Sequence, residues 1–229
     1  MKRSDLILIL VSVAIILCFV FIPSVAETYN SFNRDHGMWM SFIKFAVLAT
    51  LGESIALRIR SGVYNTKGFG LLPRAVVWGF LGLTIKMAFV IFATGTPVFL
   101  EYLGFQHAGA VMKESFSFSK VGIAFSISAA MNLIYAPVMM TLHKITDIHI
   151  VANDGKLKAL LQPIAFRKIF NELDWDRQWN FVFKKTIPFF WIPAHTITFL
   201  LPEQLQVLFA ALLGIALGVL LSISSPKRK

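Results

Sequence analysis

Cysteine is almost missing from this chain. Cys18 is the single one, and it lies inside an apolar run. That excludes a disulfide framework and any metal site built on thiolates. Charge is scarce as well: Lys, Arg, Asp and Glu make up 15% of the residues, where an ordinary soluble domain carries about 25%. No G-x-S-x-G, P-loop, G-x-G-x-x-G or H-E-x-x-H occurs, and no nucleophile stands beside a legible base. The expectation is therefore a protein that is not an enzyme and holds no cofactor and no metal.

What is present is apolar. Hydrophobic residues reach 56%, phenylalanine alone supplies 22, and the mean hydropathy is +0.69. The apolar residues gather into six runs, at about 6–26, 38–59, 75–95, 120–142, 182–201 and 204–223. Each approaches the roughly 20 residues that a helix needs to cross a bilayer core. The expected fold is all-α: one membrane domain over 1–229, a polytopic bundle of about six spans. Two points stay open. Residues 1–26 read as a retained first helix, but Ser24-Val25-Ala26 before Glu27 also resembles a cleavable signal peptide. The run at 182–201 spans fully only if it starts near Phe181 or the membrane thins.

The net charge of +10 would suit a nucleic-acid partner until it is mapped. Lys and Arg number two at the N-terminus, four over 58–74, eight over 143–185 and three in the tail, Lys227 to Lys229. With six spans these segments share one side. The other side has only Arg34, Lys113 and Lys120, while Lys44 and Lys86 lie within spans. This asymmetry predicts both termini on the cytoplasmic side. It assigns the charge to topology and to no nucleic acid. The expected location is the cell membrane, with an organelle membrane as the alternative.

The segment 143–181 is amphipathic and basic. Leu157, Leu160, Leu161, Ile164, Phe166, Ile169, Phe170 and Leu173 alternate with Lys156, Lys158, Arg167 and Lys168. Pro163 divides it, so two short helices are expected. Its expected partners are membrane lipids, through anionic headgroups, with Trp175 and Trp179 as interfacial anchors. Docking of a protein partner is the competing reading. In the last run Ala210, Gly214, Gly218 and Ser222 recur every fourth position. This small-residue ladder predicts close approach of another helix, within the chain or in a homo-oligomer.

Polar residues inside the runs are costly and face protein or water. Lys86 lies 11 residues from the inner edge at Ala75, Asn132 ten from Leu142 and His195 nine from Thr186. At about 1.5 Å per residue, all three fall roughly 13 to 17 Å deep. They are the expected polar layer of a solute path, with a hydrogen-bonded structural cluster as the alternative. Glu53 is a lesser candidate. It lies half a turn round the helix from Lys44 and is expected to meet Arg58, Arg60 or Arg74. His143 and Asp147 share a helix face, but His149 does not, which weakens a metal reading.

Residues 42–56, F-I-K-F-A-V-L-A-T-L-G-E-S-I-A, resemble the first span of the Mpv/PMP family of small peroxisomal and mitochondrial inner-membrane proteins. Gly52-Glu53 stands at that family's Gly-Asp pair. Arg74 before Gly79 and Gly82, and Met131-Asn132 before Ala136-Pro137, are similar to later motifs. So are Trp175, Gln178, Asn180-Phe181, Pro202, Val207-Leu208-Phe209 and Leu221-Ser222. The first run and 184–201 are additional to the family pattern. The resemblance implies membership of a group described as channel-like or of unknown molecular function, and it supplies no substrate.

Overall fold

The computed structural model describes residues 2–224. The basic tail, Lys227 to Lys229, lies outside the described residues. These residues form helices and connecting loops, with no strand among them. The order is α1 (Arg3–Phe21), α2 (Pro23–Asp35), α3 (Gly37–Ser61), α4 (Leu71–Tyr102), α5 (Ala108–Val111) and α6 (Phe118–Ala152). A 3₁₀ turn (Leu157–Leu161), α7 (Phe166–Asn171), α8 (Trp175–Arg177), a π-helical stretch (Gln178–Trp191), α9 (Ile192–Leu200) and α10 (Glu203–Ser224) follow. Five of these, α1, α3, α4, α6 and α10, are long and apolar enough to cross a membrane. The chain is accordingly an integral membrane protein.

Two compact units divide the chain, one from Met1 to Met40 and one from Ser41 onward. In the first, α1 is apolar on every face and buries none of its residues, as befits a helix in lipid. Ile22 is extended, and Pro23 opens α2 at its first position, where the missing N–H costs nothing. The polar stretch 28–37, which reads as a short loop, is therefore mostly helix. Phe19 meets Tyr29 edge-on at 5.2 Å and ties α2 back to α1.

In the second unit, glycines bring α3 and α4 together. Ser41 Oγ donates to the Gly82 carbonyl at 2.7 Å. A Cβ on Gly82 would lie 2.8 Å from the Ser41 carbonyl oxygen, and one on Gly79 would lie 2.5 Å from the Phe42 ring. Small residues drive such contacts in membranes, where lipid supplies no hydrophobic push. The core joins Phe45 and Ala49 of α3 to Ile85, Ala88 and Phe89 of α4, with Ala124, Ile127 and Met131 of α6. Phe199 of α9 and Val207, Ala210 and Ala211 of α10 close it.

Two helices outrun their apolar stretches. α4 passes straight through Pro97 to Tyr102. α6 continues ten residues beyond Leu142, so the basic segment begins as helix rather than loop. Buried contacts explain the extension of α6. Ile145 packs with Ile169 and Leu173, and His149 Nε2 lies 2.9 Å from the Ala159 carbonyl oxygen. The turn after α6 locks onto the loop before α4 through glycines with positive φ. Gly155 (64°) faces Gly70 (74°), and a Cβ on Gly155 would lie 2.5 Å from the Gly70 nitrogen. The stretch 175–200 is one continuous helical path. It is π-wound at its centre, with the Ile192 N–H bonded to the Ile187 carbonyl five residues back.

Candidate functional site

At the end of the second unit where α3 stops and α4 starts, four ionisable side chains interlock. Arg74 comes from the first turn of α4, Glu53 from α3, and His143 and Asp147 from successive turns of α6. Arg74 Nη1 donates to both Glu53 Oε2 and Asp147 Oδ1. Arg74 Nε donates to the Phe69 carbonyl at 2.7 Å, and Trp78 Nε1 donates to Glu53 Oε1 at 2.8 Å. His143 Nε2 lies 3.1 Å from the same Glu53 oxygen. Of the three arginines within sequence reach of Glu53, it is Arg74 that reaches it.

Donor atoms of Glu53, His143 and Asp147 lie within 4.8 Å of one another, a spacing that would hold a metal ion. Arg74 already places a cation against both carboxylates, so the set fits an ion-pair network better than a metal. His149 is turned away to Ala159.

This cluster stands at one end of a cavity of about 500 Å³, lined from α3, α4, α6, the π-helical stretch and α10. Deeper along its wall lie Asn132 and His195. Asn132 Nδ2 donates to the Ser128 carbonyl at 2.8 Å and lies 3.0 Å from His195 Nδ1. Ser128 Oγ donates to the Ile192 carbonyl at 2.7 Å, which ties α6 to α9. The His195 ring lies 5.7 Å from Phe89 and 5.2 Å from Trp191.

Lys86 does not join them, which corrects the expected three-residue layer. Its Nζ bonds Glu203 Oε1 at 3.0 Å, at the start of α10. Equal depth along separate helices does not imply a shared face, and Lys86 points into a second cavity. That cavity is also lined by Lys113, Lys120 and Gln206. Phe89, three residues after Lys86, lines both cavities. Nothing in the sequence singled Phe89 out among its 22 phenylalanines.

The small-residue ladder divides its roles. A Cβ on Gly218 would lie 3.4 Å from the Gly52 carbonyl oxygen of α3, so this step packs within the chain. Ala210 lines the cavity and is buried, and Ser222 Oγ donates to the Gly218 carbonyl at 2.7 Å. A Cβ on Gly214 would meet nothing within 4 Å, because this step faces the cavity. The residues behind the family resemblance are scattered. Gly52, Gln178 and Phe181 line the first cavity, and Pro202 the second. Pro137 lies within α6, where Thr141 Oγ caps its carbonyl at 2.7 Å. Trp175 Nε1 donates to the Phe170 carbonyl at 2.9 Å, and Asn180 Nδ2 to Asp176 at 2.6 Å. Comparison with known proteins finds no matching family model, no matching curated protein and no matching solved structure.

Proposed function

We propose that this chain is a channel-like membrane protein that passes small solutes or ions, a six-span relative of the Mpv/PMP proteins. The sixth span in this reading is the helical path 175–200, and both termini lie on the basic, cytoplasmic side. The observation that carries the reading is the pair of cavities in series. Along α4 the lining moves from Arg74, Trp78 and Ile85 in the first cavity to Val90, Ala93 and Thr94 in the second. Along α6 the first is lined from Asp147 back to Met131, and the second takes Ile127 and Lys120. The Phe89 ring, 2% exposed, and its neighbour Phe199 at 5.1 Å form the apolar wall between them. An apolar constriction on the way from the charged end of the first cavity to the lysines of the second gates by excluding water.

The test is solute and ion flux in liposomes, wild type beside Phe89→Ala and Lys86→Ala. A path through this wall predicts a higher flux for Phe89→Ala and an altered charge preference for Lys86→Ala. Silence from well-folded protein of all three kinds, over a range of voltage and pH, sinks the reading.

A second reading is docking of anionic lipids or a partner by the basic segment. Leu157, Leu161, Ile164, Phe166 and Phe170 are exposed there beside basic side chains. Replacing Arg167 and Lys168 with Glu then releases the segment from anionic vesicles. Unchanged attachment and partner recovery exclude it.

A further inference from the structure

The first cavity is long and charged at one end only. Its lining runs along α3 from Arg60 back to Phe45 and along α6 from Asp147 back to Met131. At about 1.5 Å per residue this is roughly 22 to 24 Å. The volume of about 500 Å³ sits within the range of small-molecule sites.

Arg60, Arg74, Lys144 and Arg177 gather at the charged end, against Glu53 and Asp147. Arg74 already holds both carboxylates. Arg60 and Arg177 make no ion pair among the described residues. Gln178, 7% exposed, lies at the same end, and its Nε2 has no hydrogen-bond partner among the described residues. Beyond this end the wall is uncharged and mostly apolar, with Phe45, Ile85, Met139 and Leu217, broken by Tyr135 and by Asn132 and His195, which bond each other. Methionine adapts to an irregular occupant. At Gly214 the bare helix backbone forms the wall, with nothing within 4 Å of an added Cβ.

A wholly polar solute would leave the apolar length unmatched, and a hydrocarbon would leave the arginines and the Gln178 amide unmatched. We propose that this cavity binds one single-chain amphiphile with an anionic head, the head at Arg60, Arg177 and Gln178 and the tail running past Gly214 towards Trp191. The site deepens the passage reading by naming what the inner cavity takes, and it rests on that reading only in sharing the cavity.

The test uses the full chain in nanodiscs of zwitterionic phospholipid, titrated with brominated palmitate. Trp191 lines the cavity, so its fluorescence is the signal, isolated by subtracting Trp191→Phe. Saturable quenching is expected, with no competition from an alkylamine of the same chain length. Competition by lysophosphatidate places single-chain lipids in the same site, and its absence restricts the site to free carboxylates. A Cβ at Gly214 meets nothing within 4 Å, so Gly214→Phe starts its ring into the cavity and abolishes the saturable signal. Arg60→Gln with Arg177→Gln weakens palmitate by about tenfold, the loss expected for a charge-assisted contact. Quenching that never saturates, that survives Gly214→Phe, or that the amine matches overturns the proposal. Binding without flux keeps the amphiphile site and removes the passage reading. Flux without binding does the reverse.

Discussion

At the basic end of the second unit, Arg74 is shared by two carboxylates, and a histidine and an indole N–H hold Glu53 from other sides. At the other cavity, Lys86 meets Glu203 at 3.0 Å; the lysine side chain is 18% exposed and that of Glu203 77%. Both are ion pairs between residues far apart in sequence, yet their physics differs. A buried ion is held by every partner it has, because leaving one out strands a charge in low dielectric. A pair with one partner in solvent loses less, because the exposed carboxylate exchanges its cation for water at little cost. The first arrangement fixes where α3, α4 and α6 stand. The second ties a largely buried lysine to a single carboxylate that stands in solvent.

Arg74→Met is the most severe test of that difference. It leaves Glu53 and Asp147 facing each other without their shared cation, and breaking a buried pair costs about 3 to 5 kcal/mol. Thermal unfolding in nanodiscs should show a large loss. The triple variant Arg74→Met, Glu53→Gln, Asp147→Asn should recover much of it, since no uncompensated charge remains. A single variant as stable as wild type would mean that water reaches the cluster and that the contrast with Lys86 is false.

Asn132 and His195, on the wall between the two regions, give the next effect. Asn132→Ala strips His195 of its side-chain partner and removes the bond to the Ser128 carbonyl. An unsatisfied buried group costs about 1 to 3 kcal/mol. Asn132→Leu with His195→Phe removes both partners together and should be closer to neutral. If the double variant is stable and flux is unchanged, the pair is a structural tie between α6 and α9. If it is stable and flux changes, the pair belongs to the proposed path.

How much of this was legible in the sequence follows from how local each signal is. Apolar runs with few charges are local, so they marked the regions of α1, α3, α4, α6 and α10. Their ends were not legible: α6 is extended by contacts far along the chain, such as Ile145 on Ile169 of α7, and the apolar run of α4 does not mark its continuation through Pro97 to Tyr102. Glu53 was recognisable as a carboxylate beside a basic loop, but choosing Arg74 over Arg58 or Arg60 needs the packing of α3 on α4. Depth counting brought Asn132 and His195 to one level, and the fold joins them. It brought Lys86 to the same level, and the fold turns it away, because depth carries no information about the angle around a helix. Phe89 had no signal, since a wall between two cavities is a property of their shapes.

Glu203→Gln should have the smallest effect on stability. Its partner Lys86 keeps a hydrogen-bond acceptor, the pair is open to solvent at the Glu203 side, and exposed ion pairs contribute about 0 to 1 kcal/mol. Stability within that range is the expected result, with a salt dependence weaker than that of wild type because the screened attraction is gone. The cavity nevertheless gains one unit of positive charge beside Lys86, Lys113 and Lys120. On the proposed path that change favours anions over cations at constant voltage, so the reversal potential under a salt gradient should move towards the anion value. A large loss of stability would put Glu203 in a dry environment and make the Lys86 pair a second buried anchor. Unchanged stability with an unchanged reversal potential would take the second cavity out of the path and leave the first as a binding pocket closed at Phe89.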